Sequence, residues 1–224
     1  MKPITTITFY SFKSNRFWAF QQMGLNPLKR NDIPGLTFFK FLGTGGGKGF
    51  SLWPDFSTYA FLGVWENKLM FENCMNHHPV LKMFNSKSQK QRTLILKSIK
   101  SHGKWNGINP FHVEESIEEN HLPAVVLTRA TLRWNKLFYF WCAVPKASKA
   151  IEKAKGVQFY KGIGEWPLIQ QATVSIWDNF DSVQKFAYRN QDHSTIVKTT
   201  KKEKWYQEEL FSRFVLLSDE INER

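Results

Sequence analysis

The stretch TYAFLGVWEN, residues 58–67, has a counterpart in ATVSIWDN, residues 172–179. In both, a segment with the alternation typical of a half-buried β-strand leads into tryptophan, an acidic residue and asparagine. Two copies of such a marker, each at the end of a similar strand, indicate an internal repeat. The chain is therefore expected to contain two related halves.

Two further markers repeat in the same order. FKFLG at residues 39–43 matches YKGIG at residues 160–164, and RFWAF at residues 16–20 matches KLFYF at residues 136–140. Arg16 and Lys40 are 24 residues apart, and Lys136 and Lys161 are 25 apart. Three markers at nearly equal spacing support a duplicated unit rather than a chance similarity.

The pattern of each half predicts the element order β-α-β-β-α-β, which is that of a ferredoxin-like unit. The fold class is therefore α+β, with two tandem ferredoxin-like repeats packed sheet to sheet as a pseudo-symmetric dimeric α+β barrel around a cavity. The first repeat is assigned to residues 1–101, a surface-crossing linker to 102–122, and the second repeat to 123–224. In the first half we expect strands at 4–12, 36–43, 58–65 and 92–99 and helices at 16–23 and 69–84. In the second half we expect strands at 124–134, 157–164, 170–177 and 213–217 and helices at 136–151 and from 180 onward.

The composition narrows the classes of partner. Of 224 residues, 42% are hydrophobic and 16% aromatic, and the formal net charge is +12. The lysines are scattered, as on a solvated surface, and the chain lacks the aromatic signature of an RNA-recognition sheet. We therefore expect an apolar small-molecule partner and no nucleic acid.

The cysteines and the hydropathy pattern suggest a compartment. Cys74 and Cys142 lie in apolar, helical settings, so both are interpreted as small core residues of a protein in the reducing cytoplasm. The N-terminal stretch lacks the features of a signal peptide, and no apolar run approaches the roughly 18 residues of a membrane helix. Membrane contact would then be peripheral, at the inner surface. The oligomeric state stays open.

The glycine-rich residues 43–49 resemble a phosphate loop only at first sight. A Walker loop would require glycine where Leu42 stands and a hydroxyl residue where Gly49 stands. Lys40 and Trp65 are 25 residues apart, whereas Lys161 and Trp177 are 16 apart, so the first hairpin is nine residues longer than the second. We interpret the extension as a flexible flap near one mouth of the barrel that gates a long substrate.

One histidine stands out from the others. Asp181 can cap a helix whose inner stripe includes Val183 and Phe186, and a continued helix would place His193 on that stripe. An inward imidazole is either a core histidine bonded to a backbone carbonyl or a haem ligand in an aromatic pocket. No set of histidine, cysteine and acidic residues has the spacing of a zinc site.

Several motifs along the chain belong together: LTRATLR at 127–133, FYKGIGEWP at 159–167, QATVSIW at 171–177, His193 ahead of WYQEELFSRF at 205–214, FWAFQQMG at 17–24, the glycine-rich stretch, GKWNG at 103–107 and PF at 110–111. Through these motifs the chain resembles, along nearly its whole length, the spheroidene monooxygenase family of carotenoid 2-ketolases. It departs from the family pattern at Trp166 and Leu168.

The resemblance implies a haem-dependent monooxygenase that uses dioxygen and inserts oxygen at a terminal carbon of an acyclic carotenoid to give a ketone. His193 would be the iron ligand. Arg129 would meet a haem propionate or polarise bound dioxygen, with a strand-edge surface charge as the alternative. Lys161 would also meet a propionate, unless it belongs to the repeat architecture shared with Lys40.

Three aromatic residues, Phe138, Phe159 and Trp177, are candidate pocket walls, with ordinary core packing as the alternative. An external ferredoxin or reductase would supply electrons, since the chain has no flavin or iron–sulfur motif. Another long apolar substrate, or a cofactor-free or ligand-binding barrel of the same fold, remains open.

Overall fold

A computed structural model describes residues 2–25, 33–47, 51, 53–113, 122–166, 168–189 and 198–224. The strands are β1 (Ile4–Ser11), β2 (Leu36–Gly45), β3 (Pro54–Trp65), β4 (Lys90–Gly103), β5 (Ala124–Leu132), β6 (Val157–Trp166), β7 (Gln170–Trp177) and β8 (Tyr206–Glu223). The helices are α1 (Arg16–Leu25), α2 (Lys68–His77), α3 (Pro79–Lys87), α4 (Leu137–Glu152) and α5 (Phe180–Arg189).

The eight strands form one closed antiparallel barrel in the order β1-β3-β2-β6-β7-β5-β8-β4. The first four strands follow the order β4-β1-β3-β2, and the last four follow the equivalent order β8-β5-β7-β6. The predicted α+β class and barrel architecture are therefore confirmed, and the two halves have the same strand order.

The halves meet at two seams of unequal length. At one seam β4 pairs with β8 from Lys90 opposite Glu223 to Gly103 opposite Leu210. At the other, β2 pairs with β6 only through Gly43 opposite Gly164 and Thr44 opposite Ile163. Backbone hydrogen bonds thus close the second seam over a very short distance.

Three apolar clusters fill the molecule. The first occupies the barrel interior, the second lies between the first half of the sheet and α1, α2 and α3, and the third lies between the second half of the sheet and its helices. The predicted cavity between the sheets is wrong for the described residues, because apolar side chains fill the interior, among them Ile7, Leu62, Leu94, Leu127, Val174 and Phe214.

The segment after β4 also contributes to this interior. Trp105 is completely buried and Phe111 nearly so, and both belong to the interior cluster. The prediction of a surface crossing is therefore wrong for this part of residues 102–122. Its polar and glycine residues suggested a loop, but they flank two aromatic side chains that find apolar partners only inside the barrel.

The predicted helix at residues 69–84 is two helices. The Asn67 side chain accepts a hydrogen bond from the Met70 amide at 3.0 Å and caps α2, which ends at His77. His78 is extended, and Pro79 begins α3, because proline disfavours the helical conformation of the residue before it and lacks an amide for an interior helical bond.

Two other predictions need correction. Strand β8 begins at Tyr206 and ends at Glu223, well beyond the predicted residues 213–217, because its partners β4 and β5 extend the pairing past the apolar centre. Cys74 is buried as predicted, but Cys142 is exposed on α4. Among the described residues, no helix is long and apolar enough to cross a membrane.

Candidate functional site

The outer faces of the two half-sheets differ sharply at equivalent positions. On the first half Tyr10 of β1 lies opposite Tyr59 of β3. On the second half the corresponding pair is Ala130 of β5 opposite Gln171 of β7. The equivalence follows from the register, since Tyr59 and Gln171 both lie six residues before the repeated tryptophan, Trp65 or Trp177.

The neighbouring strand pair shows the same change. Phe41 of β2 lies opposite Phe61 of β3, whereas Gly162 of β6 lies opposite Thr173 of β7. In the first half the rings of Phe41 and Phe61 are 4.9 Å apart, and Phe84 of α3 stacks on Phe41 at 5.1 Å. The outer face of the first half thus carries four aromatic residues, Tyr10, Phe41, Tyr59 and Phe61. The equivalent positions of the second half are Ala130, Gly162, Gln171 and Thr173, a set that we call the second-half gap.

Burial changes with this substitution at two of the four positions, since Ala130 and Gly162 are buried like their counterparts. Tyr59 and Phe61 are buried beneath the helices, but Gln171 and Thr173 remain partly exposed. The hydroxyl oxygens of Thr128 and Thr173 are 2.9 Å apart on the same face. The second half therefore presents a floor of small side chains where the first half is filled.

Helix α4 is attached at both ends of this face. Near its start, the indole Nε1 of Trp141 donates to the Leu168 carbonyl in the β6–β7 turn at 3.1 Å. Near its end, Ile151 is buried in the same apolar cluster as Trp177. Helix α4 is thus fixed to the outer side of the second half-sheet, the side on which the second-half gap lies.

A buried donor lies on the same side of the sheet. Arg213 of β8 is opposite Val126 of β5, and Val126 belongs to the outer cluster of the second half. The Arg213 Nε is buried without a hydrogen-bond partner in the described part of the chain. A buried, unpaired donor is costly, so a ligand that supplies an acceptor would be stabilised there.

A second polar group, on the interior side of the barrel, is centred on Arg129. Its side chain is only 1% exposed, and its guanidinium forms an ion pair with Glu208. Nη2 also donates to the Asn106 side-chain oxygen at 3.3 Å, and the guanidinium lies 5.6 Å from the centre of the Trp105 ring. Of the two orientations that the sequence left open, the structure shows the inward one, so the surface-charge alternative is wrong, while the cofactor role of Arg129 stays a prediction.

Glu208 also anchors the loop that carries Trp105. Its carboxylate accepts hydrogen bonds from the amides of Asn106 at 2.9 Å and Gly107 at 2.7 Å. Partial burial by itself would raise the pKa of Glu208, but these amides and the Arg129 charge outweigh it and hold the pKa below its ordinary value. Glu208 is therefore a stable anion that ties β8 to the loop.

Glu165 joins the two halves of the barrel. Its carboxylate accepts from the Lys40 ammonium at 2.5 Å and from the Trp105 indole at 2.5 Å. The Arg129 guanidinium lies 4.0 Å away. One acid of β6 thus neutralises a lysine of β2 and fixes the buried indole.

Lys161, the equivalent of Lys40, makes the reciprocal connection. Its ammonium donates to the Gly47 carbonyl at 3.0 Å and lies 3.6 Å from the Asp55 carboxylate. Burial alone would raise the pKa of Asp55, but hydrogen bonds from Ser57 and the charge of Lys161 outweigh it, and the pKa lies below its ordinary value. These contacts place the start of the glycine-rich extension against β6. The predicted gating role of that extension stays a prediction, since residues 48–50 and 52 lie outside the described residues.

The structure does not bring the predicted pocket residues together. Phe138 is 76% exposed on α4, so the core alternative is wrong for it. Phe159 packs on the interior side against Phe9, with ring centres 5.6 Å apart, and Trp177 packs on the outer side against Phe186 at 5.1 Å. His193 lies outside the described residues, so its role stays a prediction.

Sequence reasoning missed the second-half gap and the carboxylates Glu165 and Glu208. The gap had a readable signal, because aligning the two repeats at their tryptophans sets aromatic residues of one half against small residues of the other. The two carboxylates left no such signal in the sequence, since their partners are distant along the chain. Within the described residues, no cluster of three or more histidine, cysteine or acidic side chains could hold a metal ion.

These features define a class of protein, a single-chain α+β barrel whose second half-sheet carries small side chains where the first carries aromatic rings. A solved aldoxime dehydratase has this fold, with a TM-score of 0.65, 8% identity and coverage of 99% of this chain and 85% of that one. A second aldoxime dehydratase, solved in complex with butyraldoxime, has a TM-score of 0.60, 9% identity and coverage of 98% and 81%. At these identities the likeness concerns the fold alone.

Relatives of known name are more similar in sequence. The spheroidene monooxygenase of Rhodobacter capsulatus is 32% identical over 221 residues, covering 97% of this chain and 92% of the relative. That of Cereibacter sphaeroides is 32% identical over 217 residues, covering 95% and 67%. No family model matches the chain. The protein belongs to the spheroidene monooxygenase family.

Proposed function

We propose that this protein is a haem-dependent monooxygenase that inserts oxygen from dioxygen into a long apolar substrate, an acyclic carotenoid oxidised at a terminal carbon. Membership of the spheroidene monooxygenase family supports a carotenoid monooxygenase. The haem, the terminal position and the ketone product are the parts that this proposal adds.

The observation that carries the haem assignment is the second-half gap. A porphyrin is a flat, largely apolar plate, and it needs a floor without protruding rings. Ala130, Gly162 and Thr173 provide such a floor at the positions where the first half has Tyr10, Phe41 and Phe61. Bound there, haem would supply an iron centre at which dioxygen can be activated.

The chain supplies groups suited to holding this cofactor. His193 is the proposed iron ligand, and it follows α5, which packs on the same outer layer through Phe180 and Val183. The buried and unpaired Nε of Arg213 is suited to a propionate carboxylate. The proposed roles of Arg129 and Lys161 remain separate predictions, because both side chains are engaged on the interior side of the barrel wall.

A long apolar substrate also needs an apolar path to the cofactor, and the apolar residues of α4 are suited to form it. The start of this helix exposes Phe138 and Tyr139, and Trp141 lies beside the β6–β7 turn. Electrons would come from an external ferredoxin or reductase. We further infer that the two halves are ferredoxin-like repeats, since each uses the same order of four strands.

The proposal is tested by reconstituting the purified full-length protein with haem and recording its absorbance spectrum. The wild type is expected to give a Soret band that shifts when carbon monoxide is added to the reduced protein. His193→Ala should lose the native spectrum, whereas His77→Ala should keep it, because His77 is an exposed residue of α2 in the other half.

A folded protein without a Soret band, or a His193→Ala variant with an unchanged spectrum, would reject the haem assignment. Conversion of a carotenoid by haem-free protein would instead favour the cofactor-free alternative.

A further inference from the structure

Aromatic side chains are concentrated on the surface around the start of α4. Trp134 is 73% exposed, Phe138 76% and Trp166 63%, and Tyr139 and Leu168 are also exposed. Trp134 belongs to the short 3-10 turn that directly precedes α4, and Trp166 ends β6. We call these five residues the aromatic patch. Exposed groups of this size and kind usually mark an interaction surface.

One hydrogen bond joins the two elements that carry the patch. The indole of Trp141 donates to the Leu168 carbonyl at 3.1 Å, which joins α4 to the β6–β7 turn. The rings of Phe138 and Tyr139 lie 6.0 Å apart. The patch is thus formed by a helix start and a turn that are fixed to each other.

The turn adopts a costly backbone conformation. Leu168 has φ of 70°, in the left-handed region that residues other than glycine seldom occupy. A strained conformation of this kind costs on the order of 1 kcal/mol. Here it is adopted by an exposed leucine, two residues after the exposed Trp166, so burial of the leucine does not offset the cost.

Basic residues surround the patch. Lys136 forms an ion pair with Glu203 at 3.2 Å, and its ammonium lies 5.7 Å from the centre of the Tyr139 ring. The Lys136–Glu203 contact brings the segment around Glu203 next to the start of α4. The exposed basic residues of this region are Arg133, Lys201, Lys202 and Lys204. These basic residues outnumber Glu203, the acid that pairs with Lys136.

We propose that the aromatic patch inserts into the surface of an anionic lipid bilayer, with the basic rim in contact with lipid phosphates. Tryptophan and tyrosine favour the membrane–water interface, where their rings are apolar and their polar edges remain hydrated. Basic side chains near an anionic surface strengthen such binding, and they make it sensitive to salt. An acidic protein would be attracted by the same rim, but it would leave the exposed tryptophans without an apolar partner.

The position of the patch would let membrane contact deliver the substrate, an inference that rests on the proposed function. The β6–β7 turn connects the two strands that carry Gly162 and Thr173, and α4 spans the same face. A carotenoid would pass from the bilayer past Phe138 into the second-half gap without crossing water.

The test is co-sedimentation of the full-length protein with phosphatidylcholine vesicles that contain or lack phosphatidylglycerol, without added haem or substrate. The wild type should sediment with the anionic vesicles, and rising salt should release it. The double variant Phe138→Ala/Trp166→Ala should bind more weakly by on the order of tenfold or more, since it loses two interfacial aromatic groups. The matched control is Phe17→Ala/Trp53→Ala, which removes two similarly exposed aromatic residues from the first half and should bind like the wild type.

Charge is tested separately by Lys201→Glu/Lys202→Glu, which should weaken binding to anionic vesicles and reduce its salt dependence. The proposal would be overturned by a wild type that does not sediment with anionic vesicles, by a patch variant that binds as well as the control, or by patch-dependent binding to an acidic ferredoxin in place of vesicles. A Soret band without vesicle binding would reject the membrane proposal and leave the proposed function standing. Vesicle binding without a Soret band would reject the proposed function and leave the membrane proposal standing.

Discussion

Lys40 and Lys161 occupy equivalent positions on β2 and β6, and each extends its ammonium to a carboxylate of the other half of the barrel. Lys40 lies 2.5 Å from Glu165, and Lys161 lies 3.6 Å from Asp55. The seam between β2 and β6 has only two paired positions, Gly43 with Gly164 and Thr44 with Ile163. The two ion pairs therefore supplement a backbone connection that is too short to close the barrel firmly.

Replacing Lys161 tests whether it belongs to the seam or to a cofactor site. We expect Lys161→Met to lower the free energy of unfolding by about 1 kcal/mol, as for a partly shielded ion pair, and to leave haem binding unchanged. Urea denaturation and haem titration measure the two effects. Lys155→Met, at an exposed position of the same half, is the control. Loss of haem affinity in Lys161→Met would instead support the predicted propionate contact.

Replacing Glu165 tests the connection between the halves. We expect Glu165→Gln to destabilise the protein by about 3 kcal/mol, because the largely buried Lys40 ammonium would lose its counter-charge. Urea denaturation followed by far-ultraviolet circular dichroism measures this change. Glu223→Gln removes the exposed ion pair with Lys90 and should cost less than about 1 kcal/mol. Equal effects of the two substitutions would show that the interior contact has no special importance.

Glu208 predicts a dependence of stability on acidic pH. Its pKa lies below the ordinary value of 4.5 in the folded protein, so its contribution is fully present above the ordinary value and disappears as the pH falls through the lowered one. Denaturation measured between neutral and strongly acidic pH should show this loss in the wild type. Glu208→Gln should be less stable at neutral pH and should lose less stability on acidification. A parallel loss in both proteins would contradict the assignment.

Gly103 and Gly107, on either side of the buried Trp105, distinguish the cost of a steric clash from the cost of backbone strain. Gly103 has φ of +87°, and a Cβ there would lie 2.2 Å from the Glu209 carbonyl oxygen. Gly107 has φ of +83°, and a Cβ there would have nothing within 4 Å. Gly107→Ala should cost about 1 kcal/mol of stability through strain alone, whereas Gly103→Ala should cost more, because β8 must also move. Thermal denaturation compares them, and equal losses would be evidence against the steric account.

The second-half gap can be filled with the residue that the first half uses. Thr173→Phe should leave the protein folded, since Phe61 is accommodated at the equivalent position, and it should abolish haem binding by occupying the floor. Haem titration and the urea midpoint separate loss of binding from loss of folding. The reverse change, Phe61→Thr, should destabilise by about 3 kcal/mol through loss of a buried ring and should spare haem binding. Unaltered haem affinity in a folded Thr173→Phe variant would place the cofactor elsewhere.

Much of the architecture was predictable from the sequence because it rests on local patterns. The repeated Trp65 and Trp177 marked the ends of corresponding strands, and the alternation before them located β3 and β7. Helix breaks were harder to predict, since the apolar stripe of residues 69–84 continues across Pro79. The ends of β4 and β8 were missed because each strand is lengthened by pairing with the other, a contact between residues more than 100 positions apart.

The candidate site was only partly predictable for the same reason. The sequence left the orientation of Arg129 open, inward or at a strand edge, and only the structure shows that it points inward. Its partner Glu208 was not predicted, since an ion pair between distant residues leaves no trace in composition or periodicity. Phe138 illustrates the opposite error, because an aromatic helix position was interpreted as core or pocket and lies in solvent.

The sequence by itself determined the α+β plan of two similar halves and the family of the protein, because these depend on side-chain period and on motifs that are contiguous in the chain. Only the tertiary structure decided that the interior is filled, that Trp105 enters it, and that small side chains of the second half face the same layer that rings fill in the first. These properties arise when strands from both halves close one barrel, since closure alone sets which distant side chains share a face and how much space they leave.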